Sequence, residues 1–212
     1  MSSFEIPVSE VPRLPSGSLL AITLAVPYSP VAGALGLDGP PARVLAALGA
    51  PALDRLGDLL AVDENFLLTW REVDHFASRS ADPSVRYWGP LPTAVQGGDP
   101  PWTPGEGPRV FAYLKGEYGA IEPLVAALAK APLRTCAFIP GLSPELARRH
   151  ASNRLALSSG PVNMERVCAE ADAVLCNAGS GTVCTVLRAG LPVVMLPMHA
   201  EQLLFARRVA ET

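Results

Sequence analysis

Between residues 109 and 211 short apolar runs alternate with longer amphipathic stretches, and this alternation narrows the possible architectures more than any other feature. "RVFAYL" (109–114), "RTCAFI" (134–139), "RLALS" (154–158), "AVLC" (173–176) and "VVMLP" (193–197) read as strands. Helical patterns follow each of them: "AIEPLVAALAKA" (120–131), "SPELARRH" (143–150), "MERVCAEA" (164–171), "GTVCTVLRA" (181–189) and "EQLLFARRVAE" (201–211). Strands that alternate with helices build a parallel sheet with right-handed crossovers. The expected fold is therefore α/β, a Rossmann-like parallel sheet with helices on both faces. Local punctuation agrees: Ser143 and Pro144 suit the N-cap and first position of a helix, Pro123 suits a first turn, and Gly190 with Pro192 stops a helix. Ligands of such sheets bind beyond the carboxyl ends of the strands.

Upstream the pattern weakens. Residues 89–108, "GPLPTAVQGGDPPWTPGEGP", are too rich in Gly and Pro for a helix or a central strand, so the main domain boundary is placed here. Before it, "NFLLTW" (65–70) and "VRYWG" (85–89) read as strands, and residues 41–61 read as two short helices interrupted at Gly49 and Pro51. Residues 1–40 hold many prolines and two apolar patches.

Composition excludes several classes. Apolar residues make up 49% and charged residues 17%, enough for a sizeable core, and the net charge is −3. Without a Lys/Arg stripe, a nucleic-acid partner is not expected. No run of about twenty apolar residues predicts a transmembrane helix. The first residues, "MSSFEIPVSEVPRLPSGS", lack the basic and apolar regions of a secretory signal. Cys136, Cys168, Cys176 and Cys184 show no metal-ligand spacing and read as free thiols suited to a reducing cytoplasm.

The chemistry concentrates in "CNAGSGTVCTVLRAGLPVVMLPMHAEQ" (176–202). The turn Asn177–Ala178–Gly179–Ser180–Gly181–Thr182 joins the end of one strand to the start of a helix. Its glycines admit a close ligand, and the amides of residues 180–182 are the unpaired donors of a helix N-terminus, which attract phosphate. No Lys follows, so it is not a Walker loop, and it does not fit G-x-G-x-x-G. An ordinary strand-to-helix turn capped by Ser180 or Thr182 would share this local pattern. After the next strand come Met198, His199 and Ala200, then Glu201 and Gln202 at a helix start. A carboxylate beside an amide can grip sugar hydroxyls, although Glu201 would also suit the helix dipole and Gln202 could simply be solvated. The loop "SSGPV" (158–162), just past another strand, could pair its backbone with a nucleobase edge or be a plain loop.

In order and spacing, the 176–202 stretch resembles the donor-binding signature of GT-B glycosyltransferases of the UDP-glycosyltransferase and bacterial macrolide-antibiotic type. That signature runs from a strand through His-x-Gly-x-Gly/Asn-Thr/Ser and a helix to "aGvPvv.lP", an acidic residue and Gln. "NFLLTWREVDHF...VRYWGPLP" is similar to the passage from acceptor domain to donor domain, and "RVFAYLKGEYGAIEPLVAALA" to the donor domain's first strand and helix. The resemblance implies the tail of an acceptor-binding domain over 1–90, an interdomain linker over 91–107 and a donor-binding domain over 108–212. It implies that Ala178, Gly179, Ser180, Gly181 and Thr182 hold the diphosphate of a UDP- or dTDP-linked sugar. Asn177 and His199 join the same donor site, Glu201 and Gln202 bind sugar hydroxyls, and Val162 meets the base through its backbone. The reaction implied is transfer of a hexosyl group, with inversion, to a hydroxyl of a small-molecule acceptor, with no metal and no cofactor beyond the donor substrate.

Two departures qualify that picture. Asn177 stands where the family carries His, replacing a chargeable group by a neutral amide. The family's general base, usually a His of the acceptor domain, has no counterpart, and His75, His150 and His199 read as structural rather than as that base. The resemblance thus implies a chain incomplete at both ends and inactive alone, with its catalytic residue unassigned. Two other readings stay open: a donor-binding subunit completed by a separate acceptor-binding partner, and a non-catalytic nucleotide-binding module.

Overall fold

The computed structural model describes residues 65–76, 82–83, 85–91 and 97–212, together with positions 47 and 49. Apart from those two positions, the helix pair expected over 41–61 lies outside the described residues, as do residues 1–40. The described residues divide between two compact units. In the first, β1 (Asn65–Leu67) pairs in parallel with β2 (Val85–Tyr87), Asn65 opposite Val85 and Leu67 opposite Tyr87. "NFLLTW" and "VRYWG" are strands over their first three residues only.

The second unit takes residues 68–76 and the described chain from Trp88 onward. It is built on five parallel strands: β3 (Arg109–Tyr113), β4 (Arg134–Phe138), β5 (Leu155–Leu157), β6 (Ala173–Cys176) and β7 (Val193–Met195). Their order across the sheet is β5-β4-β3-β6-β7. The helices are α1 (Ile121–Lys130), α2 (Pro144–Arg149), α3 (Met164–Glu170), α4 (Ser180–Arg188) and α5 (Ala200–Ala210). The expected α/β fold is present, with each helix following its strand. The chain builds outward from β3 to β5, then crosses back to lay β6 on the other side of β3. The crevice above that reversal is where such sheets bind ligands.

Side-chain alternation along β3 sorts the core into two layers. Ala112 and Leu114 point to one face, where Val125 and Leu128 of α1 pack, flanked by Ile121, Leu124 and Leu146. Phe111 and Tyr113 point to the other, which is covered by Val167 of α3, Val183, Cys184 and Val186 of α4, and Phe205 of α5. On α1 the buried positions follow from the 121, 124, 125, 128 spacing of an amphipathic helix. Residues 68–76 pack on this second face through Val73, which joins Phe205 in one cluster.

Helix ends follow local chemistry. Ser143 Oγ accepts from Leu146 N at 3.1 Å and Pro144 opens α2, as expected. Asn163 Oδ1 caps α3 by accepting from Arg166 N at 3.1 Å. At the end of α4, Gly190 takes a φ of +73°, while its N–H reaches Leu187 O and the Leu191 N–H reaches Val186 O. That is a Schellman closure, and it explains why the helix stops there.

The Gly/Pro-rich segment is tied down in its described part. Gly98 N–H donates to Pro161 O at 3.0 Å and Asn163 N–H donates to Gly98 O at 2.8 Å. Gly97 must be glycine, since a Cβ there would lie 2.5 Å from the Val162 carbonyl carbon. Trp102 Nε1 donates to Glu170 Oε2 at 2.8 Å, and Arg166 Nε reaches the other oxygen at 2.6 Å. Arg166, then Trp102, hold the Glu170 carboxyl below the usual carboxylate range.

All four cysteines are free. Burial pushes the Cys136 thiol up to about 12 and the Cys184 thiol up to about 11, and it also raises Cys176. For Cys168 burial raises the value and Arg188 partly offsets it. In the native protein a thiol reagent should label Cys168 first and reach the other three only on unfolding; mass spectrometry of the labelled peptides checks this order. Because the folded-state values lie above the ordinary thiol value, the unfolded chain loses its thiol protons first as pH rises. Stability should therefore be intact at neutral pH and fall as pH climbs from about 9 toward 12, which urea titrations in neutral and alkaline buffer would show.

Candidate functional site at the carboxyl edge of the sheet

The turn after β6 leads directly into α4. Ala178, wholly buried, adopts a φ of 58°, the left-handed region that alanine seldom enters. This bend sends the chain from the strand into the helix. Gly179 is the N-cap of α4, and no side chain caps it. The first internal bond of α4 runs from Val183 N to Gly179 O, so the amides of Ser180, Gly181 and Thr182 face out of the helix end. A Cβ placed on Gly179 would meet nothing within 4 Å, so the space beside this N-cap residue is open. Neither Ser180 nor Thr182 acts as the cap; Ser180 opens the helix and Thr182 lies within its first turn.

Strand β7 runs beside β6 in parallel, with Cys176 opposite Met195, so residues 196–202 emerge next to the glycine turn. Helices α4 and α5 pack on the same face, sharing one cluster through Val183, Cys184 and Phe205. Gly179 and Glu201 therefore open on one rim. The Glu201 side chain is 19% exposed, and His199 Nδ1 lies 3.9 Å from its Oε2. The Gln202 Oε1 accepts from Met198 N–H at 2.8 Å, which fixes the turn into α5 and leaves the amide nitrogen without a partner among the described residues.

Asn177 is braced by the backbone of two neighbouring loops. It is 6% exposed. Its Oδ1 accepts from Lys115 N–H at 2.8 Å and its Nδ2 donates to Leu196 O at 2.9 Å. The side chain thus ties the loops following β3, β6 and β7 at the reversal in strand order.

Val162 is buried against Phe111, Val174 and Val186, on the same face as α4. Its flanking Pro161 O and Asn163 N–H both bond Gly98. No described peptide bond is cis, so planarity turns the Val162 N–H and C=O away from Gly98. No described residue bonds to either group. Between Val162 and the glycine turn, the Tyr113 and Phe138 rings stack at 5.6 Å on this same face. Ser158 Oγ donates to Gly160 O at 2.7 Å and closes the loop on itself.

Sequence reasoning overlooked the loop after β3. Gly116 N–H donates to Pro140 O at 2.8 Å, and a Cβ on Gly116 would lie 2.2 Å from the Gly141 carbonyl carbon. The available signal was the position of "KGEYG" just beyond the central strand. Among the described residues no group of three or more His, Cys, Asp or Glu is placed to hold a metal ion.

Comparison with known proteins bears on the fold. Residues 161–211 match the glycosyltransferase family 28 C-terminal domain. A calicheamicin glycosyltransferase superposes with a TM-score of 0.53 at 20% identity, over 80% of this chain and 48% of its own. This is the fold of a GT-B glycosyltransferase C-terminal domain. The glycosyltransferase VinC in complex with dTDP shares the GT-B likeness, with a TM-score of 0.58 at 19% identity, over 80% of this chain and 43% of its own. So does a spinosyn rhamnosyltransferase complexed with thymidine diphosphate, with a TM-score of 0.52 at 23% identity, over 80% of this chain and 45% of its own. The chain spans less than half the length of these GT-B structures. No curated protein sequence matches it.

Proposed function

We propose that the chain carries the donor site of a glycosyltransferase that binds a nucleoside diphosphate sugar and passes the sugar to a hydroxyl of a small-molecule acceptor. The observation that carries this reading is the uncapped first turn of α4, open at the strand-order reversal and beside Glu201, which lies in the first turn of α5 after the neighbouring strand. The amides of Ser180, Gly181 and Thr182 receive the diphosphate, whose leaving charge they stabilise as the bond to the anomeric carbon breaks. Glu201 and the Gln202 amide nitrogen take sugar hydroxyls, with His199 beside them. The Val162 N–H and C=O form an adjacent donor and acceptor suited to a pyrimidine imide edge. Solved relatives holding dTDP and thymidine diphosphate favour a thymine or uracil nucleotide.

The acceptor oxygen attacks the anomeric carbon opposite the departing diphosphate, so configuration inverts, and its proton passes to a base outside the residues named here. Acceptor contacts and that base are assigned to an acceptor-binding domain, of which residues 1–90 would be the tail; alone, the chain would bind donor without turnover. Neither a metal nor a further cofactor enters this scheme. No described helix is long and apolar enough to cross a membrane. Four free thiols suit a cytoplasmic setting.

Calorimetric titration with UDP, dTDP and GDP tests the reading. Saturable binding of a pyrimidine nucleotide is expected, and a folded chain that binds none refutes it. Glu201→Ala should then weaken a nucleotide sugar by about 1 to 3 kcal/mol while leaving the bare nucleotide unchanged. Equal weakening of both would remove Glu201 from the sugar subsite.

A further inference from the structure

The glycine turn supplies dipoles but no cation of its own, since Asn177 is neutral and braced between backbone groups. A diphosphate at this rim would need a positive charge from elsewhere. The five loops at the carboxyl ends of the strands can be read in full: "LKGEYGA" (114–120), "IPGLS" (139–143), "SSGPVN" (158–163), "NAG" (177–179) and "LPMH" (196–199). Lys115 is the sole Lys or Arg among them. Arg166, in the first turn of α3, is engaged by Glu170 and Asp99.

Lys115 is placed for the task. Its N–H is held by Asn177 Oδ1 at 2.8 Å, which fixes its backbone against the residue that begins the glycine turn. Alternation along β3 carries Phe111, Tyr113 and then Lys115 to the face on which α4 packs. The ammonium lies 5.7 Å from the Tyr113 ring centroid, on the same side. No carboxylate of the described residues lies within ion-pairing distance of it, and the side chain is half-buried. A half-buried ammonium supported by an aromatic face and lacking an acidic partner is poised to receive an anion.

We propose that Lys115 is a donor-binding residue whose ammonium pairs with the diphosphate of the nucleotide sugar, completing the site formed by the amides at the start of α4. The inference rests on the glycosyltransferase reading above and adds the charged group which that reading lacked. Asn177 then has a defined purpose as a positioning residue: it holds the backbone of Lys115 at the edge of the phosphate turn.

The test uses the full chain and four probes: UDP, dTDP and the matching nucleosides uridine and thymidine. Lys115→Met keeps the length of the side chain and removes the charge, while the backbone bond to Asn177 persists. Lys115→Arg keeps the charge. The unaltered chain should bind a pyrimidine diphosphate with an affinity that falls as salt rises. Lys115→Met should weaken that binding about tenfold or more and flatten its salt dependence, with nucleoside binding unmoved and Lys115→Arg close to the parent. Diphosphate binding by Lys115→Met equal to the parent overturns the role of Lys115 and leaves the glycosyltransferase reading standing. Equal loss of diphosphate and nucleoside also overturns it, because that pattern marks structural damage rather than lost charge. Failure of the unaltered, folded chain to bind any diphosphate overturns both readings together. Coincident circular dichroism spectra of the three proteins confirm that folded chains are being compared.

Discussion

Gly116→Ala should destabilise the protein by about 3 kcal/mol or more, at or beyond the upper end of ordinary overpacking costs. The added methyl would lie 2.2 Å from the Gly141 carbonyl carbon, 2.3 Å from its oxygen and 2.6 Å from Leu142 N. All three are backbone atoms, so no side chain can rotate aside. Relief requires the loops after β3 and β4 to separate, with loss of the Gly116 N to Pro140 O bond. Urea titration against Gly160→Ala gives the contrast. A Cβ at Gly160 meets nothing within 4 Å, so that variant should stay within about 0.5 kcal/mol of the parent. Equal stability of the two variants would show that the loop crossing is not as close as described.

Asn177→Ala carries the second large effect. It removes two hydrogen bonds and leaves the Lys115 N–H and the Leu196 C=O facing a small void. A buried unpaired group costs about 1 to 3 kcal/mol, so a loss of about 2 to 4 kcal/mol is expected for the pair. Asn177→Asp separates the two bonds: its carboxylate still accepts from Lys115 but opposes the Leu196 carbonyl, so it too should destabilise. Hydrogen exchange at the Lys115 amide should accelerate in Asn177→Ala and stay slow in Asn177→Asp. Retention of parental stability by both variants would mean that the loops hold together without this side chain.

Much of the fold was legible because it is encoded locally. The strands of the second unit begin and end within a few residues of their apolar runs. Ser143, Pro144 and Gly190 act through neighbours no more than four residues away. The strand order is not local, and neither are the contacts that shape the rim. Trp102 and Glu170 are separated by 68 positions, and Lys115 and Asn177 by 62. No periodicity records such pairs. Close approach of two backbones leaves only a glycine as its trace, and Gly97 and Gly116 look like any other turn glycine until their neighbours across space are known. Asn177 shows the same limit: its position pointed to the glycine turn, and its hydrogen-bond partners come from loops after two other strands. Lys115 was legible in principle, as the sole Lys or Arg in five loops, once the strand ends were known.

The reversal in strand order also sets a timetable. On a chain made from its N-terminus, β3, β4 and β5 can assemble as soon as residue 157 has emerged, but β6 must still be added on the opposite side of β3. Until it docks, neither the glycine turn nor the bracing by Asn177 exists, and Glu201 follows later still. A nucleotide can favour folding only by binding a finished site. On the proposed donor role, it would therefore offer no help to a nascent half-sheet, and it would stabilise both halves in a single step once α5 has closed.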